Sequence, residues 1–87
     1  MAEIEIYSSF FCPFCHRAKA LLTKKGVAFT EIDVTTDPAG RAEMTARAGG
    51  RTSVPQIFVD GAHIGDCDEI HALDQAGKLD GLLKGAA

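Results

Sequence analysis

Two cysteines separated by two residues are the part of this sequence best suited to chemistry. Cys12 and Cys15 belong to the segment CPFCH, residues 12–16, and three kinds of site share that pattern. C-x-x-C-H is the attachment signature of c-type haem, two thiols and an imidazole can bind a metal, and C-x-x-C alone is typical of a dithiol redox site.

Haem and zinc are poorly supported by the other residues. His16 and Met44 are available as haem ligands, but haem attachment needs export, and the first residues, MAEIEIYSSFF, lack the basic and apolar regions of a signal peptide. Zinc needs four ligands. Cys12, Cys15 and Cys67 with a histidine could be assembled, yet there is no second C-x-x-C and no H-x-x-x-H. We therefore predict no metal site and expect His16 to be solvated.

The redox interpretation is favoured by the elements around the cysteines. Residues 3–7 alternate polar and apolar, as in a strand, and residues 13–25 carry an apolar stripe of helical period. Cys12 then falls at the helix N-cap, where unpaired N–H groups favour an anion such as a thiolate, with Pro13 at the first helical position. Cys15 lies on the apolar stripe and should be less exposed. An accessible thiolate with a shielded partner in reach is what disulfide exchange requires.

The remaining pattern predicts one α/β domain spanning residues 1–87. Further elements are indicated by composition, caps and turns: a strand at 27–34, a helix from Thr36 or Asp37 to about Ala48, a hairpin of 56–60 and 62–65 around Asp60-Gly61, a helix from Asp66 to Gly77, and a last helical turn packed through Leu79, Leu82 and Leu83. This β-α-β-α-β-β-α order predicts a thioredoxin-like arrangement, with the first two strands parallel and the hairpin antiparallel.

Composition and charge exclude several classes of protein. The net charge of −3 argues against nucleic-acid binding, and no apolar stretch reaches the roughly 18–20 residues that cross a membrane. Three cysteines without a signal peptide argue against a disulfide-stapled secreted scaffold. We therefore expect a cytoplasmic protein in a reducing compartment, where a close cysteine pair is catalytic or metal-binding.

A second motif, Ser53-Val54-Pro55, directly precedes the predicted strand at 56–60. An X-Pro bond in this position suits the cis form. A cis bond would bring the Val54 backbone beside the cysteines, where it could pair with an extended peptide. An ordinary proline at the start of a strand is the alternative.

Together these motifs resemble the bacterial dithiol glutaredoxins, most closely the glutaredoxin 3 type. The resemblance rests on CPFC followed by HRAKALL, on RTSVPQIFVDGAHIG and on CDEI, in the family's order from about Ile4 to Leu83. It implies a thioredoxin-like fold in its minimal glutaredoxin version, with helices flanking a four-stranded mixed sheet of order 2-1-3-4. It also implies a glutathione-dependent thiol–disulfide oxidoreductase, with glutathione as co-substrate and no tightly bound cofactor.

The resemblance assigns catalytic roles to the two cysteines. Cys12 would be the nucleophile and Cys15 the resolving thiol. The implied partners are glutathione and disulfide-containing or glutathionylated proteins, with ribonucleotide reductase among the candidates. The protein would act as a monomer, without nucleic acid or membrane.

The resemblance also implies a glutathione site. Pro55 would be the cis proline, next to Ser53, and Val54 would pair its backbone with the cysteinyl residue of glutathione. The N–H groups of Cys67 and Asp68, at a helix N-terminus, would receive the γ-glutamyl carboxylate. The Asp68 carboxylate would face the ammonium group, unless it only caps the helix, and the Cys67 side chain is expected to be a small buried filler.

Two residues depart from the family pattern. The family usually has a lysine three residues before the first cysteine, where this chain has Ser9, and a second glycine where this chain has Asp66. Both changes make the groove less positive, so they put the affinity for glutathione in doubt. Phe10 and Phe11 make the loop apolar, either as a contact surface for protein partners or by packing against the core.

A function of another class remains open. Related proteins carry a [2Fe–2S] cluster between two chains, and here Cys12 of each chain with two glutathiones would hold it. Pro13 counts against this alternative, because the related carriers tend to have a smaller, more flexible residue there.

Overall fold

The computed structural model describes residues 2–84, whose four strands form one mixed sheet. The elements run β1 (Ile4–Ser8), α1 (Pro13–Lys24), β2 (Thr30–Asp33), α2 (Pro38–Arg47), β3 (Gln56–Val59), β4 (Ala62–Gly65), α3 (Cys67–Gln75) and α4 (Leu79–Leu83). The strand order is β2-β1-β3-β4, with β1 and β2 parallel and the other pairs antiparallel. The predicted thioredoxin-like fold and strand order are confirmed.

Helices cover both faces of the sheet, because successive side chains of a strand point to opposite faces. On β3, Ile57 belongs to the core cluster beneath α1, α3 and α4, while Phe58 belongs to the cluster beneath α2. On β1, Ile6 belongs to the first of these clusters and Tyr7 to the second. All four residues of β3 are buried. Next to β3, the loop that follows the C-terminal end of β1 leads to the cysteines.

The helices begin at the predicted caps. Cys12, Asp37 and Asp66 are the N-caps of α1, α2 and α3, so Asp37 is the cap of α2. Pro13 and Pro38 follow two of these caps, where a missing N–H leaves no helical hydrogen bond unmade. The hairpin between β3 and β4 also forms as predicted, since Asp60 and Gly61 have the positive φ values of 52° and 81° that a two-residue turn of this kind requires.

Two predictions about extent and packing are wrong. The second strand covers Thr30–Asp33 instead of 27–34. Only these four residues pair with β1, and the Val27 N–H donates to the Leu22 carbonyl near the end of α1 instead. β2 is an edge strand, and only Ile32 of its four residues is even partly buried. Leu82 is 39% exposed, because the buried face of the short helix α4 is centred on Leu79 and Leu83.

No helix within residues 2–84 has the length and apolar character needed to cross a bilayer.

Candidate functional site

The first cysteine of the pair stands at the N-terminus of α1. Cys12 has an extended backbone, and its Sγ accepts the backbone N–H of Cys15 at 3.3 Å. The sulfur thus takes the place of the oxygen that usually caps a helix and faces N–H groups with no partner inside the helix. It is partly exposed, so an incoming molecule can reach it.

The second cysteine lies inside the protein. Cys15 is fully buried, and its Sγ accepts the N–H of Ser9 at 3.4 Å. Burial raises the pKa of the Cys15 thiol to about 12, and the hydrogen bond with Cys12 contributes further to the increase. One thiol is therefore accessible, and the other is held protonated behind it.

The loop before β3 forms one wall beside Cys12. The Val54–Pro55 bond is cis, as predicted, and the Cys12 thiol donates to the Val54 carbonyl at 3.7 Å. Ser53 is held by the buried Gln56, whose Nε2 donates to the Ser53 carbonyl at 3.0 Å. Sequence reasoning missed Gln56, although a polar residue in an otherwise apolar strand was a signal that it had a specific partner.

A pocket beside this wall brings together the residues expected to bind glutathione. Its volume is about 190 Å³, and it is lined by Phe14, Ser53, Val54, Pro55, Asp66, Cys67 and Asp68. Asp68 is exposed at the start of α3, while Cys67 is 2% exposed and fills the core as expected. The pocket therefore has an apolar side from α1 and the proline loop, and a polar side from the N-terminus of α3.

An ion pair that the sequence did not reveal lies at that polar side. Asp66 and Glu69 form a reciprocal capping box, in which Asp66 accepts the Glu69 N–H at 2.9 Å. The Arg51 guanidinium contacts Asp66 at 2.8 Å and Glu69 at 2.5 Å. Its hydrogen bond holds the pKa of the Glu69 carboxyl below its usual value. The negative charge of Asp66 is thus partly offset by Arg51.

The loop between β1 and α1 is exposed and anchored. Phe10 and Phe11 are 66% and 81% exposed, so the alternative in which they pack against the core is wrong. The Phe10 N–H donates to Thr35 Oγ1 at 2.8 Å, an anchor that sequence reasoning missed. His16 is exposed, as expected, and its Nε2 lies 3.1 Å from the Phe10 carbonyl oxygen.

The described residues contain no group of three or more His, Cys, Asp or Glu side chains placed to hold a metal ion.

Comparisons with known proteins agree with this arrangement. The sequence matches the family model described as Glutaredoxin over residues 4–64. It is 57% identical to Glutaredoxin 3 of Escherichia coli (strain K12) over 84 residues, which are 97% of this chain and 100% of that protein. The solution structure of glutaredoxin from Brucella melitensis is 51% identical, with a TM-score of 0.85 over 97% of this chain and 90% of that one. A buckwheat glutaredoxin–glutathione complex is 28% identical, with a TM-score of 0.85 over 95% and 77% of the two chains.

Proposed function

Because this chain belongs to the glutaredoxin family and is a glutathione-dependent thiol oxidoreductase, we propose that it reduces protein disulfides and protein–glutathione mixed disulfides through Cys12 and Cys15. The observation that carries the proposal is the asymmetry of the two thiols. Cys12 is accessible at a helix N-terminus, and Cys15 is buried one turn behind it. Such a pair suits a reaction in which one sulfur attacks the substrate and the other completes the exchange.

The proposed reduction of a protein disulfide has two steps. The Cys12 thiolate attacks one substrate sulfur, the substrate S–S bond breaks, and its electron pair leaves on the other sulfur, which takes a proton from solvent. Cys15 then gives up its proton and attacks the Cys12 sulfur, which releases the second substrate thiol and leaves a Cys12–Cys15 disulfide. Two glutathione thiols reduce this bond with two electrons and leave as glutathione disulfide.

The resolving step requires the buried Cys15 thiol to ionise. Burial opposes this, but once Cys12 is in a mixed disulfide it no longer holds a thiol or thiolate next to Cys15. The Ser9 N–H, which is 3.4 Å from the Cys15 sulfur with both cysteines free, can stabilise a negative charge there, and the positive charge of Lys19 acts in the same direction. The arrangement thus favours ionisation of Cys15 after Cys12 has reacted.

The pocket supports a proposed binding mode for glutathione. The cysteinyl residue would lie along the Val54 backbone, which is next to the attacking sulfur. The γ-glutamyl carboxylate would meet the N–H groups of Cys67 and Asp68, with the Asp68 carboxylate facing its ammonium group. With a glutathionylated protein, Cys12 would attack the glutathione sulfur, and a second glutathione would release the first. This reaction does not need Cys15.

We further propose that the protein works in a reducing cytoplasm, since the cycle consumes reduced glutathione. We also propose that it acts as a monomer. Its substrates would be cytoplasmic proteins with exposed disulfides or glutathionylated cysteines, with ribonucleotide reductase as one candidate.

The function is tested by a coupled assay with glutathione, glutathione reductase and NADPH. We expect the purified protein to turn over both a glutathionylated protein and a protein disulfide. Spectra of the same protein, purified anaerobically with glutathione, test the cluster-carrier alternative. A brown protein with visible absorbance and no turnover would replace the oxidoreductase proposal with that alternative.

The ion pair at Asp66 leads to a prediction about glutathione affinity. Asp66→Asn and Asp66→Ala both remove a negative charge beside the N–H groups that would receive the γ-glutamyl carboxylate. For a partly exposed charge of this kind the effect is about 0.3–1 kcal/mol. We therefore expect KM for a glutathionylated substrate to fall about two- to fivefold in both variants, with a smaller change in kcat.

The two variants differ in their effect on stability. Asn still caps α3, whereas Ala should lower the free energy of unfolding by about 0.5–2 kcal/mol. Steady-state kinetics at two ionic strengths and thermal melts separate the two effects. An unchanged or higher KM in both variants would mean that the carboxylate of glutathione lies elsewhere.

A further inference from the structure

Two adjacent aromatic side chains stand in solvent immediately before the reactive cysteine. Phe10 and Phe11 are the two most exposed large apolar side chains in the described part of the chain. Their rings meet edge to face, with centroids 5.0 Å apart, so they form one continuous surface, the Phe10–Phe11 patch. An exposed contiguous apolar surface of this kind marks a site of interaction, unlike an isolated exposed leucine.

The patch is held in place by its backbone. The Phe10 N–H donates to Thr35 Oγ1 at 2.8 Å, and the Phe10 carbonyl lies 3.1 Å from His16 Nε2. Thr35 is fixed in turn, since its hydroxyl donates to Asp33 Oδ1 at 2.5 Å. The rings are therefore presented by an anchored loop, so the binding of a partner does not carry the entropy cost of ordering that loop.

The loop that carries the patch is anchored on the β2 side of β1, whereas the glutathione pocket lies on the β3 side. β1 leads into the loop and lies between β2 and β3 in the sheet. The patch is anchored to Thr35, just after β2, whereas the pocket is walled by the loop before β3. A glutathionylated protein that places its glutathione in the pocket thus has the β2 side left for its polypeptide.

The rim of the patch carries a negative charge. Asp33 accepts the N–H of Thr35 at 2.8 Å as well as its hydroxyl, and these hydrogen bonds hold the pKa of the Asp33 carboxyl below its usual value. Among residues 2–84 no Lys, Arg or His lies within ion-pair distance of this carboxylate. Lys19 pairs with Glu31 at 2.8 Å and acts on Asp33 only at longer range, so a positively charged residue of a partner would find a carboxylate without an ion pair there.

From these observations, and resting on the proposed function, we propose that the Phe10–Phe11 patch docks the polypeptide of the protein substrate. The partner is a segment with an apolar side chain next to its modified cysteine and a Lys or Arg beside that. The apolar side chain covers the two rings, and the cation meets Asp33. The patch thereby selects protein substrates by the residues around the target cysteine.

The experiment compares three short peptides with one glutathionylated cysteine each. The first has Leu on both sides of the cysteine and Lys on the outer side of each Leu, so that the peptide can bind in either chain direction. The second replaces Leu by Ser, and the third replaces Lys by Glu. The glutathione mixed disulfide of cysteamine, which has no polypeptide, reports on the reaction at Cys12 alone.

We expect kcat/KM for the Leu–Lys peptide to exceed that for the Ser–Lys peptide about tenfold, as expected for partial burial of leucine side chains. The double variant Phe10→Ser/Phe11→Ser should lose this preference, and Asp33→Asn should lose only the preference for Lys over Glu. Leu82→Ser, which removes another exposed apolar side chain on α4, is the matched control and should keep both preferences.

The outcomes separate this proposal from the proposed function. A wild-type protein that turns over the cysteamine substrate without preference among the peptides overturns the docking proposal alone. A preference for Leu that survives in the double variant also overturns it, as does an equal loss of activity on cysteamine and peptide substrates. If wild-type protein fails on the cysteamine substrate itself, the proposed function is wrong.

Discussion

Cys12→Ser should abolish every activity of this protein, whereas Cys15→Ser should abolish only the reduction of protein disulfides. Cys12 is the accessible sulfur of the pair, so no other group can start the exchange. Cys15 is fully buried and acts only on the mixed disulfide formed by Cys12. Removal of a glutathione from a protein can be completed by a second glutathione, and Cys15→Ser should retain it.

The measurement is the rate of each variant with a glutathionylated protein and with a protein disulfide, in the coupled assay. Cys15→Ser contains its own control, because retained deglutathionylation shows that the variant is folded. For Cys12→Ser, a melting curve provides that evidence. Equal loss of both activities in Cys15→Ser would contradict the division of roles between the two thiols.

A second large effect is expected in the alkylation of the native protein. At pH 8 iodoacetamide should modify Cys12, while Cys15 reacts far more slowly than a free thiol. The thiolate is the reactive form. Burial, and to a smaller degree the contact with Cys12, raises the pKa of Cys15 from 9.0 to about 12, which lowers its thiolate fraction about a thousandfold. Timed labelling followed by peptide mass spectrometry, with unfolded protein as the reference, measures this protection.

The pH dependence and a variant test the cause of the protection. Because the pKa is raised, labelling of Cys15 should increase about tenfold per pH unit above pH 8, as long as the fold persists. In Cys12→Ser, protection of Cys15 should weaken only in part, since burial is the larger cause and the contact with Cys12 the smaller. Labelling of native Cys15 at the rate of the unfolded chain would show that it is not shielded.

Features that depend on neighbours in the chain were predicted best. Cys12 and Asp66 are predicted as the starts of helices, and each is an N-cap whose side chain accepts the backbone N–H three positions along the chain. The Asp60-Gly61 turn is equally local. Such interactions depend on the backbone of one or two turns, and residue type and spacing determine that backbone.

Features that depend on the packing of distant segments were not predicted. Arg51 reaches Asp66 across 15 residues, and Thr35 reaches Phe10 across 25. Neither partner has a distinctive sequence pattern, because an arginine or threonine in a loop is usually solvated. The two contacts exist because the sheet brings the C-terminal ends of β1, β2 and β4 and the N-terminal end of β3 to the same side, so they follow from the fold as a whole.

The short outer strand β2 also affects how the molecule behaves at high concentration. An unpaired strand edge is a template on which another chain can add a strand, and this is a common route to aggregation. Here the edge is four residues long and carries the carboxylates of Glu31 and Asp33. Glu31 is partly offset by Lys19 at 2.8 Å, so the repulsion between two copies joined along this edge would come mainly from their Asp33 carboxylates. The acidic edge therefore opposes strand-to-strand self-association of the protein.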